Sequence, residues 1–221
     1  MSGDAGGRPL PGLGGTGRIA DELWLIAHHE VSGRAHLQPR ALGLGLAGGL
    51  LAELLLDEAI TITAGTVTAG PARPGGQLTA QVAARIAAEG HVYPVRDWLA
   101  FFGRTSADEV AARLAACGYL TPTPRRPWRG ARWVPADPDC AFAPVARIKA
   151  GLDPSRPVLV TGLVLAALAA ACGLGARLGP YLPSGSRARI DALAGLLDPD
   201  LDEVITQVQA AVDAALLAHR V

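Results

Sequence analysis

The chain has 221 residues, with 20 Lys+Arg balanced by 20 Asp+Glu, so no global field steers it toward nucleic acid or membrane and any attraction to phosphate is local. Half of the residues are apolar and 18% are charged, which excludes wholesale disorder, while 27 glycines and 17 prolines predict a helical core cut by many turns. Cys117, Cys140 and Cys172 stand far apart without CxxC spacing, which argues against a disulfide framework or structural zinc and for a reducing, cytoplasmic setting.

Residues 1–17, rich in Gly and Pro, lack the apolar run of a secretion signal and read as a flexible tail before one domain over 18–221. From Arg18, Ile19, Leu23, Ile26 and Ala27 recur at helical spacing, and Gly33 closes that segment. After Pro39 comes ALGLGLAGGLLAELLLDEA, apolar around its whole circumference with Glu53 the only charge before Asp57, the pattern of a helix buried on all sides. ITITAGTVTAG predicts a small hairpin, and QLTAQVAARIAAEG and VRDWLAFFG predict amphipathic helices.

Ser106 and Glu109 form a capping-box pattern that opens a helix running to Gly118. Strands are expected at 119–123 and 131–134, flanking a Pro- and Arg-rich tip; between Val110 and Ala136 stand five arginines and no acid. Four further helices are expected in CAFAPVARIKAGL, RPVLVTGLVLAALAAACGLGARL, RARIDALAGLL and LDEVITQVQAAVDAALLAHRV. The uncharged run at 158–176 is long enough to cross a bilayer. Its glycines, its flanking prolines and the second all-apolar helix favour a buried core helix. The fold class is mainly α: a helical bundle core wrapped by amphipathic helices, with small β-hairpins.

Several motifs carry no chemistry. The two GxGxxG matches, Gly12/Gly14/Gly17 and Gly43/Gly45/Gly48, follow no strand. His28 and His29 are adjacent and point apart, no GxSxG elbow exists, and no cysteine has a neighbouring histidine, so neither enzyme chemistry, metal nor cofactor is expected. More informative are Arg125, Arg126, Arg129 and Arg132 interleaved with Trp128 and Trp133, since guanidinium groups bind phosphate and Trp suits a lipid interface. Arg104 precedes a helix start, where free N–H groups favour an anion.

The order of these segments resembles the Golgi phosphoprotein 3-like family. DELWLIAHHEVSGRAHLQPRALGLGLAGGLLAELLLDEAITI is similar to the family's opening signature, including its aliphatic-Glu-Leu motif at Leu51 to Leu56. VRDWLAFF and LAACGYL are similar to later family segments, and the Ala-, Gly- and Arg-rich composition suits a bacterial branch. The resemblance implies a mainly helical fold with a hairpin used for self-association. It further implies peripheral attachment to the inner face of a membrane, binding of phosphatidylinositol 4-phosphate, and an adaptor role toward protein cargo. The resemblance puts the family's headgroup positions on Gln38, Ala47, Arg104 and Ala107, so one arginine survives, and Arg40, two residues from Gln38, is the replacement expected for one lost contact.

The leading expectation is a non-enzymatic protein that binds anionic phospholipid headgroups through Arg104, Arg40 and Gln38, with Arg125, Arg126, Trp128, Arg129 and Arg132 as a membrane fringe. One alternative is a protein scaffold that self-associates through the basic 119–134 hairpin. The weakest is a winged-helix-like nucleic-acid binder in which Arg113 is the only basic residue on the would-be recognition helix.

Overall fold

The computed structural model describes residues 15–123, 132–153, 155 and 158–218. At its centre is α2 (Pro39–Leu56), started by Pro39 in the first helical position, where a missing N–H costs nothing. All residues from Ala41 to Leu54 are buried, as an apolar circumference requires. Around it pack α1 (Ile19–Ile26), α4 (Val95–Phe102), α5 (Ser106–Ala116), α7 (Val160–Ala171) and α10 (Pro199–Ala218). An outer set comprises α3 (Gln77–Ala88), α6 (Pro138–Leu152), the short α8 (Gly175–Leu178) and α9 (Ser186–Ala194).

The glycines of α2 set how closely these neighbours approach. A Cβ at Gly48 would lie 2.4 Å from a methyl of Val208, and one at Gly49 would lie 3.0 Å from the Ala20 backbone. Gly48 meets Val208 while residues 38–41 meet 215–218, so α10 runs antiparallel to α2. Among the described residues α2 alone is long and apolar enough to cross a membrane, yet 78% of it is buried within the fold. The uncharged run at 158–176 is not one rod: α7 ends at Ala171, and the chain bends by 120° into Gly175–Tyr181. That bend, with Gly173 at a φ of 87°, produces the short α8 and a following 3-10 turn, which periodicity did not anticipate.

The expected first hairpin forms. β1 (Ile60–Thr63) pairs antiparallel with β2 (Thr66–Ala69) through a turn with Ala64 and Gly65 at positive φ. β3 (Tyr93–Pro94), too short to be read from alternation, joins the other edge of β2. In the second hairpin β4 (Leu120–Pro122) pairs with β5 (Trp133–Pro135). Arg125, Arg126, Trp128 and Arg129, expected at its tip, lie outside the described residues.

One local expectation is corrected. Ser106 is the first residue of α5 rather than its cap. Its hydroxyl is buried and donates to the Phe102 carbonyl at 2.6 Å, while Thr105 occupies the cap position with no side-chain bond. The short turn joining α4 to α5 leaves the Phe102 carbonyl within reach, and this bond outcompetes the capping box.

Candidate functional site

The first turn of α2 exposes backbone N–H groups that no helical carbonyl satisfies. Gln38, the cap residue, offers them no side-chain bond, and no acid stands in that turn. Gln38, Pro39 and Arg40 are exposed there. Such an end favours an anion through both its N–H groups and the helix dipole.

Arg104 reaches the same end through a close backbone approach. A Cβ at Gly43 would sit 2.0 Å from the Gly103 carbonyl oxygen, so only glycine lets the α4–α5 turn rest on the second turn of α2. Arg104, exposed and next in the chain, thereby follows a residue that rests on α2, on whose first turn Arg40 is exposed, although 64 positions separate the two arginines in sequence. Among the described residues neither arginine has an ion-pair partner. Ala47 is fully buried on α2 and Ala107 half-buried on α5, so neither position contributes a donor. Arg132 is half-buried at the start of β5, and its carbonyl accepts both the N–H and the hydroxyl of Thr123, which closes the base of the second hairpin.

A second constellation is closed. Arg113 Nε–H donates to Asp21 Oδ1 at 2.8 Å, and its two terminal nitrogens lie 3.4 and 3.5 Å from the Glu53 carboxylate. Glu53 also accepts the Ala20 N–H at 2.8 Å, which satisfies one orphan donor at the start of α1, and Arg18 stands 3.9 Å away. Glu22 accepts the Gly17 N–H and pairs with Arg147 at 2.9 Å. Burial pushes the carboxyls of Asp21, Glu22 and Glu53 above their ordinary values, and the nearby guanidiniums pull back against that rise. Three carboxylates thus face three arginines and tie α1, α2, α5 and α6 together.

This network removes Arg113 from the basic island read in the sequence. With 12% of its side chain exposed it cannot contact a nucleic acid, so α5 presents no basic residue of a recognition helix. No local pattern reveals the network, because its partners lie far apart in sequence. Its signal was Glu53 itself, since a lone carboxylate inside an apolar helix demands a buried cation. A cleft of about 530 Å³ between α3 and α5 opens onto its outer edge, lined by Arg18, Asp21, Gln77, Gln81 and Tyr119 among others.

His28 and His29 make their contacts within the fold. The His28 ring stacks on Trp24 with centroids 3.6 Å apart and donates from Nδ1 to the Trp24 carbonyl at 2.7 Å, and burial lowers its pKa to about 4. The His29 ring accepts N–H groups of its own turn. Of the two GxGxxG matches, Gly43/Gly45/Gly48 lies wholly inside α2, where its glycines admit neighbouring helices.

No curated protein matches the chain significantly. The family model described as Golgi phosphoprotein 3 (GPP34) matches residues 19–217, from the first residue of α1 almost to the end of α10. Over that span the signature helices become α1 and the buried α2, and the chain belongs to the Golgi phosphoprotein 3 (GPP34) family.

Proposed function

We propose that the protein is a non-enzymatic, peripheral membrane-associating protein that binds anionic phospholipid headgroups at the N-terminal end of α2. The observation that carries this reading is an uncapped helix N-terminus with Arg40 exposed in its first turn and the Gly103 backbone against Gly43 in its second, Arg104 being exposed next in the chain and neither arginine having an ion-pair partner among the described residues. Family membership supports it. Two arginines and free N–H groups supply charge and hydrogen bonds to a phosphate oxygen. With Gln38, Ala47 and Ala107 at the neighbouring positions, the site selects for negative charge over a particular headgroup. Each basic residue near an anionic surface contributes about 1 kcal/mol, so attachment is reversible and weakens as salt rises.

The test is sedimentation with vesicles of neutral lipid, of phosphatidylglycerol and of phosphatidylinositol 4-phosphate across a salt series. The proposal predicts salt-sensitive binding to both anionic lipids and weakened binding in the Arg40→Ala, Arg104→Ala double variant. Absence of binding to any anionic vesicle at low salt would sink it, and would return the basic hairpin to a role in pairing subunits.

A further inference from the structure

Beside Arg40 stands an apolar feature that the helical pattern of α10 does not explain. The last buried residue of that helix is Val212, and the helix continues to Ala218. Its final turn, Ala214 to Ala218, carries five apolar residues in succession, with Leu216 at 41% and Leu217 at 65% exposure. Scattered exposed leucines are ordinary, but two adjacent ones on an overhanging turn are a patch.

The patch is continuous with the arginine site. A groove of about 340 Å³ is lined on one side by Gln38, Pro39 and Arg40 and on the other by Ala215, Leu216 and Ala218, without a carboxylate in its walls. Phe101, 42% exposed on the last turn of α4, lies with its ring under the Arg85 guanidinium at 5.2 Å and edge-on to Trp98, so it belongs to the α3–α4 face and not to this groove. The groove therefore sets Leu216 and two alanines of α10 against Arg40 at the uncapped start of α2. A surface that combines apolar side chains with cations and excludes anions is complementary to an anionic bilayer, whose phosphates lie just above its acyl chains.

We infer that the overhanging last turn of α10 is an interfacial anchor: Leu216 and Leu217 enter the headgroup–acyl boundary of an anionic membrane while Arg40 and Arg104 engage its phosphates. The inference rests on the membrane reading above and adds a second, apolar contact. Two weak contacts are what a reversible peripheral protein needs, since neither a few arginines nor two leucines holds a protein to a bilayer alone.

The experiment is a binding titration of the full chain against vesicles of equal parts phosphatidylcholine and phosphatidylglycerol, with Leu216→Ser, Leu217→Ser and Arg40→Ala, Arg104→Ala double variants beside wild type. Because all four side chains are exposed, each variant should keep the wild-type circular dichroism and melting midpoint. The leucine variant is expected to lose about tenfold in affinity at every salt concentration with the salt dependence unchanged. The arginine variant should flatten the salt dependence. Unchanged affinity in the leucine variant, with the arginine variant still impaired, would overturn the anchor and leave the headgroup reading standing. Wild type that ignores these vesicles would overturn both. A fall in molar mass of the leucine variant by light scattering without lipid would also overturn the anchor, because it would place a second copy of the chain on the patch.

Discussion

Arg113 and Arg104 stand near opposite ends of α5 and illustrate two uses of one side chain. Arg113 is buried and held by Asp21 and Glu53, so its charge is spent inside the molecule on joining helices. Arg104 is exposed, and no described carboxylate pairs with it. A guanidinium with two buried carboxylates cannot serve a ligand without leaving them uncompensated, whereas an unpaired one beside a helix N-terminus costs the fold nothing when it engages a phosphate. Burial and pairing, more than arginine content, separate the structural region from the candidate binding region.

That contrast can be broken most forcefully at Arg113. Arg113→Met leaves Asp21 and Glu53 buried without their principal cation, and urea unfolding should show a loss of about 3–5 kcal/mol. Vesicle affinity of the fraction that remains folded should be unchanged.

A loss of about 3 kcal/mol is expected from titration of His28. Its folded pKa of about 4 lies below the unfolded value of 6.5, so the unfolded chain binds more protons between those limits. The stability contributed by neutral His28 is therefore complete above pH 6.5 and drains away as pH falls toward 4. Unfolding measured across that range should show a steeper decline for wild type than for His28→Phe, which keeps a ring against Trp24 and cannot titrate. The buried carboxyls of Asp21, Glu22 and Glu53, raised by burial, act in the opposite direction and are common to both proteins.

Gly43→Ala probes the hinge between the two regions. The added methyl would meet the Gly103 carbonyl, so the α4–α5 turn must move outward, at a cost of about 1–3 kcal/mol in urea unfolding. Because Arg104 rides on that turn, vesicle binding should weaken as well, which ties the packing of α2 to the site. The smallest effect on the fold belongs to Arg40→Ala with Arg104→Ala. Stability should stay within about 0.5 kcal/mol of wild type, while affinity for anionic vesicles falls about thirtyfold at low salt.

Much of this architecture is legible in the sequence. The all-apolar stretch after Pro39 demanded a central helix, and ITITAGTVTAG demanded a hairpin, because both signals are local. The ion-pair network was not legible, since Asp21 and Arg113 are 92 positions apart and nothing local announces which distant arginine answers a buried acid. Arg40 and Arg104 stand out only through family resemblance. What brings their two elements together is Gly43 lying against Gly103, a contact that no periodicity records. The leucines of α10 read as part of an amphipathic helix, and what exposes them is where the neighbouring helices stop.

Hydrogen exchange on the full chain with and without phosphatidylglycerol vesicles tests the central division most directly. Lipid should slow exchange at residues 38–42, at 103–105 and in the last turn of α10, and should leave α1 and the C-terminal half of α5 unchanged. Protection confined to the cleft between α3 and α5, with none at the start of α2, would contradict the account.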